Sequence, residues 1–445
     1  MEINLIVAVL LSICLLLVLI LRLKIQPFIA LLISSMVSGL MAGMHPADLI
    51  DSIQEGMGGT LGFVATVVGL GALFGAILEH SGGAESIATS LVKKFGVSKA
   101  PVAMVLTGFI IAIPVFFDVA FVILAPLIYS LQQKTKKSLL LFALPLLAGL
   151  AVTHTFIPPT PGPVAVAEIL NAPLGWVITL GFLVGIPTSV VAGIWFSKRM
   201  AGRIHVDIPQ YMEMPEPHTK SLPSFTSILG IIAVPILLIV ISSIVTTFNL
   251  FDDPEGLSTI KLLGHPFSAL IISNALAWYF LGIRKGTSKE TLLTVTSKSL
   301  GPAGIIILLT GAGGVFKQIL MDTGAGELLA ESMTSIGIPV ILFAFISAAI
   351  VRILQGSATV AMTTGAGLTA SLIGDSIGDI ERALLVIAIA SGATVLSHVN
   401  DSGFWLVNRY LGLTEKQTFQ TWTVQTTLIA LCGFMTVLIL SFLIV

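Results

Sequence analysis

The chain has little charge, little cysteine and no nucleotide or metal motif. Asp, Glu, Lys and Arg make up 10% of its 445 residues, against 55% hydrophobic residues. That balance excludes an ordinary water-soluble domain. The net charge of −1 names no partner. Only two cysteines occur, Cys14 and Cys432, both in apolar runs where small core or lipid-facing residues are expected. No Walker motif, HExxH or Cys/His cluster is present, so ATP-driven transport and zinc chemistry have no support. Gly69-Leu70-Gly71 and Gly311-Ala312-Gly313-Gly314 are not phosphate loops. No strand precedes them and no GK[ST] follows; close helix approach explains them. The start, Met-Glu-Ile-Asn, lacks a basic n-region, so the first apolar run is expected to be a permanent span. Alternating segments of about 10 residues, the mark of a strand barrel, are also missing.

What the chain does have is apolar runs, 5–21 first, long enough to cross a hydrocarbon core of about 30 Å. Many follow one another, which predicts an all-α polytopic membrane protein. The runs come in two copies. Residues 59–88 align without a gap onto 301–330, with ten of thirty positions identical. QPFIALLIS (26–34) matches HPFSALIIS (265–273), and Val152-Thr153-His154 faces Leu396-Ser397-His398. Two homologous halves in a membrane protein suggest a transporter whose site lies where they meet.

The basic residues set the orientation. Eighteen of 22 Lys and Arg fall in short gaps around 22–24, 93–99, 134–137, 198–220, 284–298 and 409–416. The gaps 45–58, 248–264, 321–337 and 374–382 hold only Lys261 and Arg382 beside twelve acids. The basic gaps are expected to be cytoplasmic. Segment 101–131 then enters and leaves from the cytoplasm, with a helix breaker and an acid at its centre (113–118). It reads as a re-entrant hairpin with its tip at 114–119; two short full spans are the alternative. Segment 338–373 reads as the matching hairpin from outside. Five spans per half are expected: near 5–22, 26–44, 59–79, 138–156 and 174–197, then 224–247, 266–283, 300–320, 383–398 and 420–443. Five is odd, so the second repeat is inverted and both termini face outside. The expected organisation is repeat 1 over 1–200, a cytoplasmic linker over 201–223 and repeat 2 over 224–445.

Four stretches break the apolar pattern at membrane depth: the two hairpin tips, 153–163 with four prolines in six residues, and 397–403. Irregular backbone there is tolerated only against protein or a water-filled cavity. Asp118, flanked by Val-Phe-Phe and Val-Ala-Phe, pays heavily for ionisation and suits a proton-coupling site; a hairpin-tip cap is the other reading. His154 and His398 occupy matched positions, for ligand binding or proton transfer, or for packing. Asp401 is a site acid or a helix cap. Arg352, one turn before the Gln355-Gly356-Ser357 tip, clasps a carboxylate or closes an internal salt bridge. Lys317 attracts a ligand or snorkels, and Glu168 reads as a solvated end residue.

The stretches GGTLGFVATVVGLGALFG, HSGGAE, IPPTPGP, GAGGVFKQIL, QGSATVAM and SHVNDSGFW, spread from 58 to 405, resemble the gluconate permease (gluconate:proton symporter) family. The resemblance implies a bacterial inner-membrane symporter for sugar acids. It also implies membership of a wider class of carboxylate transporters with inverted repeats, paired hairpins and substrate between the tips and the broken helices. Thr160 stands where members associated with gluconate usually carry His, and Asp118 where they often carry Glu. Those departures point also to related aldonates or hydroxy acids.

The expected site follows. Arg352, Gln355, Gly356, Ser357, Thr359, Thr153, His154, Thr160, Gly162, Ser397 and Asn400 bind substrate, and Asp118, His154, His398 and Asp401 couple protons. Expected partners are a small anion, protons and the bilayer, with a second copy of the chain as a candidate; nucleic acid, cofactor and metal are not expected. Sodium is the less favoured coupling ion. Rival readings are a D-serine or other small-acid carrier, an intramembrane metal enzyme using His154, His398 and Asp401, and a passive channel.

Overall fold

Proline punctuates this chain. Five helices begin on it, at Pro27, Pro46, Pro161, Pro254 and Pro266. A fixed φ and a missing N–H cost nothing in a helix's first turn. The preceding residue closes each repeated start in the same way. Gln26 Oε1 accepts the Phe28 N–H at 2.7 Å, and His265 Nδ1 accepts the Phe267 N–H at 3.3 Å. The QPF and HPF copies are therefore helix caps, and His265 works as one.

The computed structural model describes residues 2–209, 222–248, 250, 253–325, 338–374, 377–399 and 401–444. These residues form helices and no strand. The first half runs α1 (Glu2–Leu21), α2 (Pro27–Met41), α3 (Pro46–His80), α4 (Gly83–Phe95), α5 (Ala100–Ile111), α6 (Phe117–Thr135), α7 (Leu140–Phe156), α8 (Pro161–Ile169) and α9 (Leu174–Ala201). The second runs α10 (Phe225–Thr247), α11 (Pro254–Gly264), α12 (Pro266–Lys285), α13 (Lys289–Asp322), α14 (Val340–Gln355), α15 (Ala358–Ala370), α16 (Asp379–Gly392), α17 (Ser402–Leu411) and α18 (Glu415–Ile444). Among the described residues, seven helices are long and apolar enough to cross a membrane. They become eight if α4 and the segment Val97–Ile111, bent by 112°, count as one span.

A helix occupies each of the ten expected span positions, but several bounds differ. α3 has 35 residues and α13 has 34, where about 21 were expected. At 1.5 Å per residue each is roughly 50 Å long, so it outruns an apolar core of about 30 Å. The polar stretches 46–58 and 289–299 hold no breaker after Pro46, so the helix continues through them. α11 falls in a gap read from sequence as a loop. The break in segment 101–131 spans 112–116, slightly before the expected tip. Asp118 consequently sits in the first turn of α6 rather than in the cap.

Glycines let backbones touch in matching places. A methyl on Gly149 of α7 would collide with the Val105 carbonyl of α5, and one on Gly392 of α16 with the Phe345 carbonyl of α14. The same close approach thus joins the first hairpin limb to the following helix in both halves. α3 and α13 pack along each other with numbering running in opposite directions. Gly56 lies on Gly314 and Val315, Gly311 on Met57 and Leu61, and Gly69 on Leu300. The two copies of the repeated 30-residue segment are therefore antiparallel neighbours.

Candidate functional site

Three of the four helix breaks singled out from the sequence contribute residues to one cavity, while Pro159 and Thr160 of the fourth line a small void beside it. The tip 112–116 precedes α6, and Gly356, with φ +88°, separates α14 from α15. The stretch 157–160 separates α7 from α8, and 393–401 separates α16 from α17. Between them lies a cavity of ≈620 Å³ lined from both halves, within the range of about 300–1,000 Å³ usual for small-molecule sites.

One ion pair dominates it. Arg352 Nη2 meets Asp401 Oδ2 at 2.5 Å, with side chains 6% and 12% exposed. Arg352 also donates to the Gly356 carbonyl, which ties the guanidinium to its own hairpin tip. Its Nε is buried without a partner. Asp401 is the N-cap of α17: Oδ1 accepts the Gly403 N–H at 3.0 Å, while Oδ2 also accepts from Ser397 Oγ. Both residues have partners of their own in this structure. Arg352 closes an internal salt bridge, and Asp401 is at once its partner and a helix cap.

A π-helical turn at Phe419–Thr423 of α18 holds the broken segment from behind. It aims Trp422 Nε1 at Ser397 Oγ (2.7 Å) and Thr423 Oγ1 at the Ser397 carbonyl (2.5 Å). Thr426 Oγ1 accepts the Ser397 N–H at 3.1 Å. Trp422 stacks on Phe117 of α6 with centroids 5.4 Å apart, an aromatic bridge between halves at the cavity wall. Thr394 Oγ1 donates to Thr155 Oγ1 at 3.1 Å, a second bridge.

The expected site residues divide into three groups. Asp118, His154, Arg352, Gln355, Gly356, Ser357, Thr359 and Asp401 line the cavity together. Asp118 is exposed into it, and His154 presents a ring whose Nδ1 is buried without a partner. Ser357 caps α15, and its N–H is held by Gln355 Oε1 at 2.7 Å. A second group supports the walls. Thr153 is buried and donates to the Phe109 carbonyl at 2.9 Å, and Thr160 donates to the Ile157 carbonyl at 2.7 Å. Ser397 positions Asp401, His398 pairs its Nε2 with the Ile353 carbonyl at 2.8 Å, and Gly162 packs on Met362. Asn400 lies outside the described residues. His154 lines the cavity and His398 does not, and among the described residues no group of three or more His, Cys, Asp or Glu side chains is placed to hold a metal ion. The reading from sequence missed Thr155, Thr394, Trp422, Thr426, Pro302 and Ile306 on the cavity wall.

The two hairpins differ in packing. α14 and α15 pack along each other, and α15 also packs on α8 and α13; α5 and α6 hardly touch. A smaller cavity of ≈100 Å³ shares Phe116, Val119 and Pro302 with the main one and reaches Glu79 and Ser299, beside the basic gaps.

This architecture is shared with a transporter of known structure. The YdaH transporter of Alcanivorax borkumensis superposes with a TM-score of 0.67 over 94% of this chain and 98% of that one, at 14% identity. The fold is thus that of a multi-pass helical membrane protein. Sequence comparison defines the family. A model described as GntP family permease matches residues 4–443. The low-affinity gluconate transporter of Escherichia coli K12 is 39% identical over 410 residues, covering 91% of each chain. The gluconate permease of Pseudomonas aeruginosa PAO1 is 37% identical over 423 residues, covering 94% of this chain and 93% of that one. The Gnt-II system L-idonate transporter of E. coli K12 is 36% identical over 422 residues, covering 93% and 94%. The chain belongs to the GntP family of permeases, and it is a transporter rather than an enzyme.

Proposed function

We propose that this permease imports a small sugar acid, gluconate or a related aldonate, across the bacterial inner membrane together with protons. The observation that carries the proposal is the cavity's composition. Arg352 is the one Lys or Arg lining it among the described residues, surrounded by the hydroxyls of Ser357, Thr359, Thr155, Thr394 and Thr426. A guanidinium suits a carboxylate, and hydroxyl groups suit a polyol chain. The names of the relatives, transporters of gluconate and L-idonate, agree with that chemistry.

Charge supports the proton. Arg352 and Asp401 cancel as a pair, so an entering anion meets no uncompensated Lys or Arg on the cavity wall and one further carboxylate, Asp118. Two negative charges in a site of low dielectric repel strongly, and a proton taken up with the anion removes the penalty. The mirrored organisation of the halves, with both termini outside, is part of the same reading. Antiparallel α3 and α13 and the matched contacts of Gly149 and Gly392 support it. A tightly packed outer hairpin, a splayed inner one and a smaller cavity beside the main one on the side of the basic gaps fit a state open to the cytoplasm.

The test is uptake by purified protein in liposomes. Gluconate accumulates against its gradient when the interior is alkaline, and a protonophore abolishes the accumulation. Accumulation that survives the protonophore and requires sodium contradicts proton coupling.

A further inference from the structure

We propose that Asp401 is the anion which the substrate carboxylate replaces on Arg352, and that the displaced Asp401 carboxyl takes up the co-transported proton. This rests on the sugar-acid reading of the cavity and adds the coupling step to it.

Four observations converge on the pair. It lines the cavity rather than lying behind it, so a ligand reaches both members. The contact uses Nη2 of Arg352, while Nη1 is spent on the Gly356 carbonyl and Nε has no partner. The guanidinium thus has one edge committed to an anion and an unused donor beside it. A substrate carboxylate that approaches as a fork satisfies both Nη2 and Nε, which Asp401 does not. Finally, Asp401 survives release from Arg352 without losing all support. Oδ1 still caps α17 through the Gly403 N–H, and Ser397 Oγ remains beside Oδ2.

The exchange balances. Before binding, Arg352 is +1 and Asp401 −1. Afterwards, Arg352 is paired with the substrate carboxylate, and Asp401 carries one proton drawn from the bulk solution on the side from which substrate enters. The site stays neutral, no covalent bond is made apart from the O–H bond to the proton, and one proton accompanies one carboxylate. Substrate without a proton leaves Asp401 ionised and unpaired in the interior, and a proton without substrate leaves Arg352 uncompensated; both are costly. That mutual dependence is what a symporter needs. The other ionisable groups facing Asp401 across the cavity are Asp118 from α6 and His154 from α7. His398, in Asp401's own segment, is engaged with the Ile353 carbonyl. Asp118 is exposed on the cavity wall, and in this scheme it relays the proton to Asp401.

The test is equilibrium binding of gluconate, read from tryptophan fluorescence because Trp422 lines the cavity, across a pH series. In the wild type, affinity falls by about tenfold per pH unit once Asp401 is ionised before binding, the slope of one linked proton. Asp401→Asn keeps an amide oxygen as the cap of α17 and removes the competing charge. It binds gluconate with no pH slope, at least about tenfold more tightly than wild type in alkaline solution. A variant that keeps the wild-type slope, or a wild type that binds gluconate with no slope, overturns the exchange while leaving the sugar-acid reading intact. A wild type that neither binds nor accumulates any aldonate overturns both. Infrared difference spectra of the wild-type protein give a reading that needs no folded variant. Gluconate must raise a protonated-carboxyl band, and its absence contradicts the proposal.

Discussion

At the scale of single residues, the informative signals were polar groups where hydrocarbon was expected. Asp118 and Arg352 stood out because a charge inside an apolar run demands a partner or a cavity, and both proved to line the same one. The tip Gln355-Gly356-Ser357 was legible for a related reason: small polar residues cannot continue an apolar span. Trp422, Thr426 and Thr394 were not legible. Trp422 and Thr426 sit in an ordinary apolar helix and Thr394 in the turn just after α16, in a run that reads as apolar span; what brings Trp422 inward is a π turn that composition does not encode. Thr153 and Thr160 were misleading, because a hydroxyl at a helix break serves a nearby carbonyl as readily as a ligand. Asp118 carries the residue-scale prediction. Asp118→Asn retains gluconate binding and its pH slope but slows gradient-driven uptake by at least about tenfold, a barrier change of about 1.4 kcal/mol. Uptake and binding measured on one preparation check this, and a normal uptake rate removes Asp118 from the proton's route.

At the scale of elements, breaks were easier to read than lengths. Prolines fixed the starts of α2, α8 and α12, and the cluster at 158–163 fixed the break between α7 and α8. The excess length of α3 and α13 and the existence of α11 were hidden, because a polar stretch without a breaker reads equally as loop or as helix outside the bilayer. The repeat itself predicts where backbones touch. Gly392 meets the Phe345 carbonyl as Gly149 meets that of Val105, so neither position has room for a side chain. Gly392→Leu forces α14 away from α16 and costs about 1–3 kcal/mol, typical of overpacking. Thermal unfolding in detergent reads the loss, and an unchanged midpoint means that the two helices are not in contact there. Gly75 adds the asymmetry between halves. It lies under the Pro114 carbonyl between α5 and α6, whereas its repeat partner is Lys317. The cation therefore belongs to one hairpin's environment and not to the architecture of both.

At the scale of the whole molecule, two copies of one helical plan surround one cavity, and each contributes what the other lacks. The second half supplies the cation and its counter-charge, while the first supplies Asp118 and His154. The repeat was visible in the sequence because glycines recur at fixed spacing. The state of the molecule was not visible, since it depends on whether hairpin limbs pack or splay. The most direct test is a structure determined with gluconate bound. Its carboxylate lies within hydrogen-bonding distance of the Arg352 guanidinium, between Gly356 and a displaced Asp401, with its hydroxyls toward Thr155, Ser357 and Thr359. Gluconate bound elsewhere, or bound in the cavity while Arg352 and Asp401 remain paired, contradicts this account.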